Sequence, residues 1–118
     1  MGERPSSHLR VREQDDIAIV EFADRKILEE LSIQEIGEEL DQLVEAGSAK
    51  LLLNFRNVDH LSSAALGMLI TLNKKVKEKH GVLKLSDINR QIFEVFKITR
   101  LDRVFDIHES ADHALASF

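Results

Sequence analysis

The chain has 118 residues, 43% of them hydrophobic and 31% charged, with a formal net charge of −5. That length suits one compact domain that buries about two-thirds of the surface its unfolded chain exposes. The absence of cysteine excludes a disulfide framework, a thiolate metal site and a cysteine nucleophile. Net acidity, with six Phe and neither Trp nor Tyr, argues against a nucleic-acid surface, which needs concentrated positive charge and stacking rings.

Residues 1–8 read as a flexible leader without the apolar core of a signal peptide, ahead of a single domain over residues 9–118. Leu9-Arg10-Val11 and Ile17–Phe22 read as strands around a Gln14-Asp15-Asp16 turn, an opening antiparallel hairpin. After a stretch of mixed signal, Ser32 and Glu35 have capping-box spacing. Ile33, Ile36, Leu40, Leu43 and Val44 then recur as a helical stripe, and Gly47 supplies the stop. Lys50 to Phe55, carrying Leu51-Leu52-Leu53, reads as a central strand buried on both faces. A second helix headed by Ser62 and Ser63 presents Leu66, Leu69, Ile70 and Val76 and stops near Gly81.

Val82–Leu85 is the next strand, and Asp87 or Asn89 caps a helix bearing Ile92, Phe93, Val95 and Phe96. Val104–Ile107 reads as a short strand, and Ser110 opens a last helix with Ala111, Ala114 and Leu115. The order ββαβαβαβα predicts a single α/β domain: a mixed, mostly parallel sheet with right-handed crossovers, an antiparallel hairpin at one edge and about four helices. No apolar run approaches the ~20 residues of a membrane span, so no direct membrane insertion is expected and the cytoplasm is the expected compartment.

The junction around Ser62 and Ser63 is the candidate site. A helix start gathers unpaired N–H groups and the positive end of the dipole, so a hydroxyl there can cap the helix or accept a phosphate without strain. Spacing alone leaves both uses open. Met68, nearly opposite the Leu66–Ile70 stripe and within reach of the Ser63 surface, is either an incidentally exposed side chain or a partner contact. Lys74, Lys75, Lys77 and Lys79 read as a solvated helix face.

No enzyme constellation forms in the sequence. Asp59, His60 and Ser63 are hydrolase residue types set too close along the chain to align, and there is no Gly-x-Ser-x-Gly elbow. The five histidines lack metal-ligand spacing: His108, Glu109 and His113 miss the His-Glu-x-x-His pattern by one residue, about 100° around a helix. No glycine motif supports a nucleotide site, so no cofactor and no metal are expected.

The block Leu61-Ser62-Ser63-Ala64-Ala65-Leu66-Gly67-Met68-Leu69, with Leu52-Leu53-Asn54-Phe55 before it and Gly81–Leu85 and Val95–Asp102 after it, resembles the STAS domain family over roughly residues 9 to 118. The resemblance is to the bacterial anti-sigma factor antagonists, non-enzymatic proteins in which a serine at this junction is phosphorylated by an anti-sigma factor that is also a kinase. It implies an anti-sigma factor with serine kinase activity as partner, a serine phosphatase as a second, and a binding surface including Ser62, Ser63, Ala64, Met68 and Asp24. Anchored on Leu66-Gly67, the most common acceptor position is Ala64, so the resemblance points to Ser63 as phospho-acceptor with Ser62 in reserve. Loss of the usual acceptor also fits an alternative: a STAS subunit or scaffold that binds constitutively in a transport, lipid-trafficking or signalling assembly.

Overall fold

The computed structural model describes residues 8–118, so most of the expected leader lies outside the described residues. Strands β1 (Leu9–Gln14) and β2 (Ile17–Phe22) form the expected hairpin. Asp15 and Asp16 both take positive φ, 51° and 63°, the left-handed pair that a two-residue turn needs to match the strand twist. Gln14 pairs with Ile17 and Leu9 with Phe22, which fixes the register.

Strand β3 (Lys26–Ile27) follows, then helix α1 (Glu30–Glu45), strand β4 (Lys50–Asn54), strand β5 (His60–Leu61) and helix α2 (Ser63–Glu78). Strand β6 (Val82–Ser86), helix α3 (Arg90–Ile98), a 3₁₀ turn (Leu101–Arg103), strand β7 (Asp106–His108) and helix α4 (Ala111–Ala116) complete the domain. The main sheet runs β1-β2-β4-β6-β7; all neighbours after the hairpin are parallel, and β3 and β5 form a separate parallel pair.

Strand β4 lies at the centre, and its alternating side chains divide the core. Leu51 and Leu53 join Ala18, Val20, Leu85 and the apolar stripes of α1, α2 and α3 on one face. Leu52 joins Ile17, Ile19 and Ala114 of α4 on the other. Leu51, Leu52 and Leu53 are all fully buried, as a strand covered on both faces requires.

Several sequence expectations shift in the fold. The capping box does not form: α1 starts at Glu30, its N-cap Glu29 makes no side-chain bond, and Ser32 falls inside the first turn. The β3–β5 pairing sets where the chain turns into α1, ahead of the local signal. On α3 only Ile92 and Phe96 are buried, Val95 being exposed, and of the two candidate caps Asn89 accepts the Ile92 N–H at 2.8 Å. Strand β7 starts at Asp106 rather than Val104, because the 3₁₀ turn uses the preceding residues and turns Phe105 into the core against Phe96.

Gly47 ends α1 with φ 103° as expected. At the end of α2 the left-handed residue is His80, φ 62°, and Gly81 serves close approach instead: a Cβ there collides with the Ala49 carbonyl oxygen. Lys75 departs from the solvated lysine face, bridging α2 to α1 through Asp41 at 2.6 Å and Glu45 at 2.7 Å. Hydrogen bonds from Lys75 and from Lys79, which also reaches Glu45 at 3.4 Å, together with the charges of both lysines hold the Glu45 carboxyl below the ordinary carboxylate range.

Lys84, on the α4 side of the sheet, is buried. It pairs with Asp106 and lies 5.2 Å from the Phe118 ring centroid. Partial burial raises the Asp106 pKa, but the Lys84 hydrogen bond and charge outweigh it and hold the carboxyl below its ordinary value.

Leu53→Ala is expected to cost ~2–5 kcal/mol in a denaturant melt, through lost transfer energy and a residual cavity. Lys77→Ala, on the exposed side of α2, is expected to stay within about 0.5 kcal/mol of the wild type. Equal midpoints for the two variants would contradict the placement of β4.

Candidate functional site

The site is built where β4 delivers the chain past the carboxyl edge of the sheet. Asn54 is buried and its side-chain oxygen accepts the Arg56 N–H at 2.8 Å, starting the turn. Phe55 and Val58 point inward, with the Phe55 ring 4.9 Å from that of Phe22. The Asn89 side-chain amide donates to the carbonyls of Val58 and Asp59 at 3.2 and 3.3 Å, tying the junction to the start of α3. The N–H groups of Asp59 and His60 donate to the Arg25 carbonyl, and the Ser62 N–H donates to that of Ile27 at 3.1 Å. This short ladder fixes both the direction and the starting residue of α2.

Ser62 and Ser63 consequently differ in environment. Ser62 is the N-cap, extended at φ −86° and ψ 168°, and its hydroxyl oxygen accepts the Ala65 N–H at 3.2 Å. Ser63 is the first helical residue and is exposed, as is Ala64; Ala65 behind them is buried. The first turn of α2 carries no acidic side chain, and Lys26 and His60, both exposed, pair across the adjacent β3–β5 strands. The helix dipole, with the Lys26 ammonium on the adjacent strand, leaves a setting that accepts negative charge.

The other sequence candidates, Met68 and Asp24, are each engaged by neighbours in the fold. Met68 is partly buried against the core, and its Cγ sits 3.1 Å from where a Cβ on Gly37 of α1 would be. It lines a shallow groove between α1 and α2 with Gln34, Glu38, Asp41, Thr71 and Leu72. A helical wheel places Met68 away from the main stripe, but α1 covers that flank because Gly37 lets the two helices approach.

Asp24 is engaged by His8: the ring Nδ1–H donates to Asp24 Oδ2 at 2.7 Å and the Nε2–H to Glu35 Oε1 of α1 at 2.8 Å. Burial alone lowers the His8 pKa, but the two carboxylates together raise it above the ordinary histidine value.

Two apolar side chains that the sequence reading passed over are exposed around the start of α1. Leu28 directly follows the Ile27 carbonyl that holds Ser62, and Leu31 lies in the first turn of α1; they are 48% and 67% exposed. Their signal in the sequence was position: they flank Glu29 and Glu30 and both fall off the Ile33–Val44 stripe. Of the hydrolase residue types, Asp59 is turned to another partner: its carboxylate accepts from Arg25 Nε at 3.0 Å.

A family model described as the STAS domain matches residues 8–114, and the chain belongs to that family. It is a regulatory domain rather than a catalytic one. BtrV of Bordetella bronchiseptica, named as a candidate anti-sigma factor antagonist, is 25% identical over 92 residues, 78% of this chain and 79% of its own. The anti-sigma-B factor antagonist of Bacillus subtilis is 31% identical over 77 residues, 65% of this chain and 70% of its own. The structure of an anti-sigma-factor antagonist (STAS) domain protein from Planctomyces limnophilus superposes with a TM-score of 0.83 at 19% identity, covering 96% of this chain and 98% of that one, a likeness of fold. Among the described residues no helix is long and apolar enough to cross a membrane.

The His8 clamp has a pH signature. Its folded pKa is raised, so its contribution to stability is complete below the unfolded value of about 6.5 and declines as pH rises through the higher folded value. The midpoint difference between wild type and His8→Ala is expected to be largest below about pH 6 and to shrink through neutrality; a difference that grows with pH would contradict the clamp.

Proposed function

We propose that the protein is an anti-sigma factor antagonist that binds a kinase-type anti-sigma factor and is switched by phosphorylation of Ser63, with a serine phosphatase restoring the binding form. The observation that carries this reading is the division of labour between the serines. Ser62 spends its hydroxyl on the α2 cap, while Ser63, one residue on, presents a free surface at the same helix start. Phosphoserine adds about −1.5 to −2 charges, which a helix N-terminus tolerates, so the domain stays folded and the change is felt by the partner.

In this reading the partner packs on Ser62, Ser63 and Ala64 together with Leu28 and Leu31. Met68 takes part as the floor of the neighbouring groove, and Asp24 through the edge of its carboxylate that His8 leaves exposed. A phosphate introduced into such an apolar contact must be desolvated against it, and a ~100-fold loss of affinity, about 2.7 kcal/mol, is within reach of one such group.

The second reading, constitutive binding as a STAS subunit or scaffold of a larger assembly, is favoured by one feature, the alanine at position 64 where a serine is usual. Titration calorimetry with the cognate anti-sigma factor kinase separates the two. Ser63→Asp is expected to weaken binding by at least tenfold, and Leu31→Lys to weaken it comparably with an unchanged melting midpoint. Wild-type affinity in both variants would place the binding face elsewhere; wild-type affinity in Ser63→Asp alone would favour the constitutive reading.

A further inference from the structure

A second cluster of functional side chains lies away from Ser63, at the far edge of the sheet. His108 ends β7 and His113 lies in α4; their ring centroids are 5.2 Å apart and a hydrogen bond joins their Nδ1 atoms at 3.1 Å. The two histidines miss the spacing of a helical metal motif, but that rule presumes both on one helix. Here one is on a strand end and the other on the helix that folds back over it.

The surroundings of His108 fix its tautomer. Its Nε2 lies 2.9 Å from Asp106 Oδ1, and Asp106 is held in turn by Lys84 through Oδ2. The Nε2–H therefore donates to the carboxylate, and the Nδ1 lone pair is left facing His113. Ser117 Oγ, 3.4 Å from the same Nε2, lies on that side too and not toward His113. A carboxylate on the far nitrogen is the arrangement that orients metal-ligating imidazoles and raises their basicity. The Nδ1 to Nδ1 separation falls between the two spacings expected for a shared ion, about 3.3 Å at a tetrahedral angle and about 2.9 Å at a right angle, for metal–nitrogen bonds near 2.0–2.1 Å.

We propose that His108 and His113 form a binding site for a divalent transition-metal ion of the zinc, nickel and copper class, using the Nδ1 atom of each ring. Without the ion, the His113 Nδ1–H donates to His108 Nδ1 at 3.1 Å; on binding, the ion replaces that hydrogen bond, the His113 proton moves to its Nε2, and both imidazoles bind in the neutral form. Among the described residues no third histidine or carboxylate completes the set, so water fills the remaining positions and the affinity is that of a two-imidazole site. The bound ion ties β7 to α4, a six-residue helix whose only buried side chain is Ala114, and so holds the C-terminal helix on the sheet.

The test is titration calorimetry of the full chain with zinc chloride and with nickel chloride near pH 7.5, paired with hydrogen exchange of the α4 amides. Wild type is expected to bind one ion per chain, with slower exchange in α4 on addition. His113→Ala, an exposed position, is expected to lose at least tenfold in affinity and the exchange effect. Asp106→Asn is expected to weaken binding by about tenfold through the orientation of His108. His80→Ala, an exposed histidine at the end of α2, should bind as wild type. No binding by wild type, wild-type affinity in His113→Ala, or a loss that follows His80→Ala instead would overturn the site.

Discussion

Three consecutive leucines without access to solvent are the constraint from which the rest of the structure follows. Leu51 and Leu53 face α1, α2 and α3 while Leu52 faces α4, so β4 can sit only at the centre of a sheet covered on both sides. Pairing with β2 and β6 on its two edges then places its end, Asn54, beside Glu21 and Ser86 at the carboxyl edge. The candidate site occupies the turn immediately beyond, in keeping with the tendency of parallel α/β sheets to bind at the carboxyl ends of their strands. The Ser62-Ser63 junction is thus positioned by burial several residues earlier.

Between that central strand and the serines lies the short β3–β5 ladder, which converts a general location into a defined geometry. By receiving the Ser62 N–H on the Ile27 carbonyl it sets which serine becomes the cap and which begins the helix. Leu28 directly follows the Ile27 carbonyl of the same ladder, so its exposed side chain and the serine junction share one support. Loss of this pairing would blur the distinction between the hydroxyls while leaving the main sheet intact.

The architecture was legible in the sequence because period and turn chemistry agreed: the Asp15-Asp16 turn, the Leu51–Leu53 run, the Ile33–Val44 stripe and Gly47 each carry a local physical signal. What escaped was set by tertiary contacts. Two-residue strands have no periodicity to read, so β3 and β5 were invisible, and with them the early start of α1 that leaves Ser32 inside the helix. Met68 shows the limit of a helical wheel, which gives the phase of a side chain but not whether a neighbouring helix covers that flank. The site was legible as a serine-headed junction; the separate roles of Ser62 and Ser63 required the backbone hydrogen bonds, and the meeting of His108 with His113 required the return of α4.

The division of roles between adjacent hydroxyls is the central claim, and phosphate transfer from the cognate kinase to Ser62→Ala and Ser63→Ala, read by mass spectrometry beside a denaturant melt of each, tests it most directly. Ser62→Ala is expected to lose about 1 kcal/mol of stability with its cap and still take phosphate on Ser63. Ser63→Ala is expected to melt within about 0.5 kcal/mol of wild type and to take none. Phosphate on Ser62, or a stability loss confined to Ser63→Ala, would contradict the account.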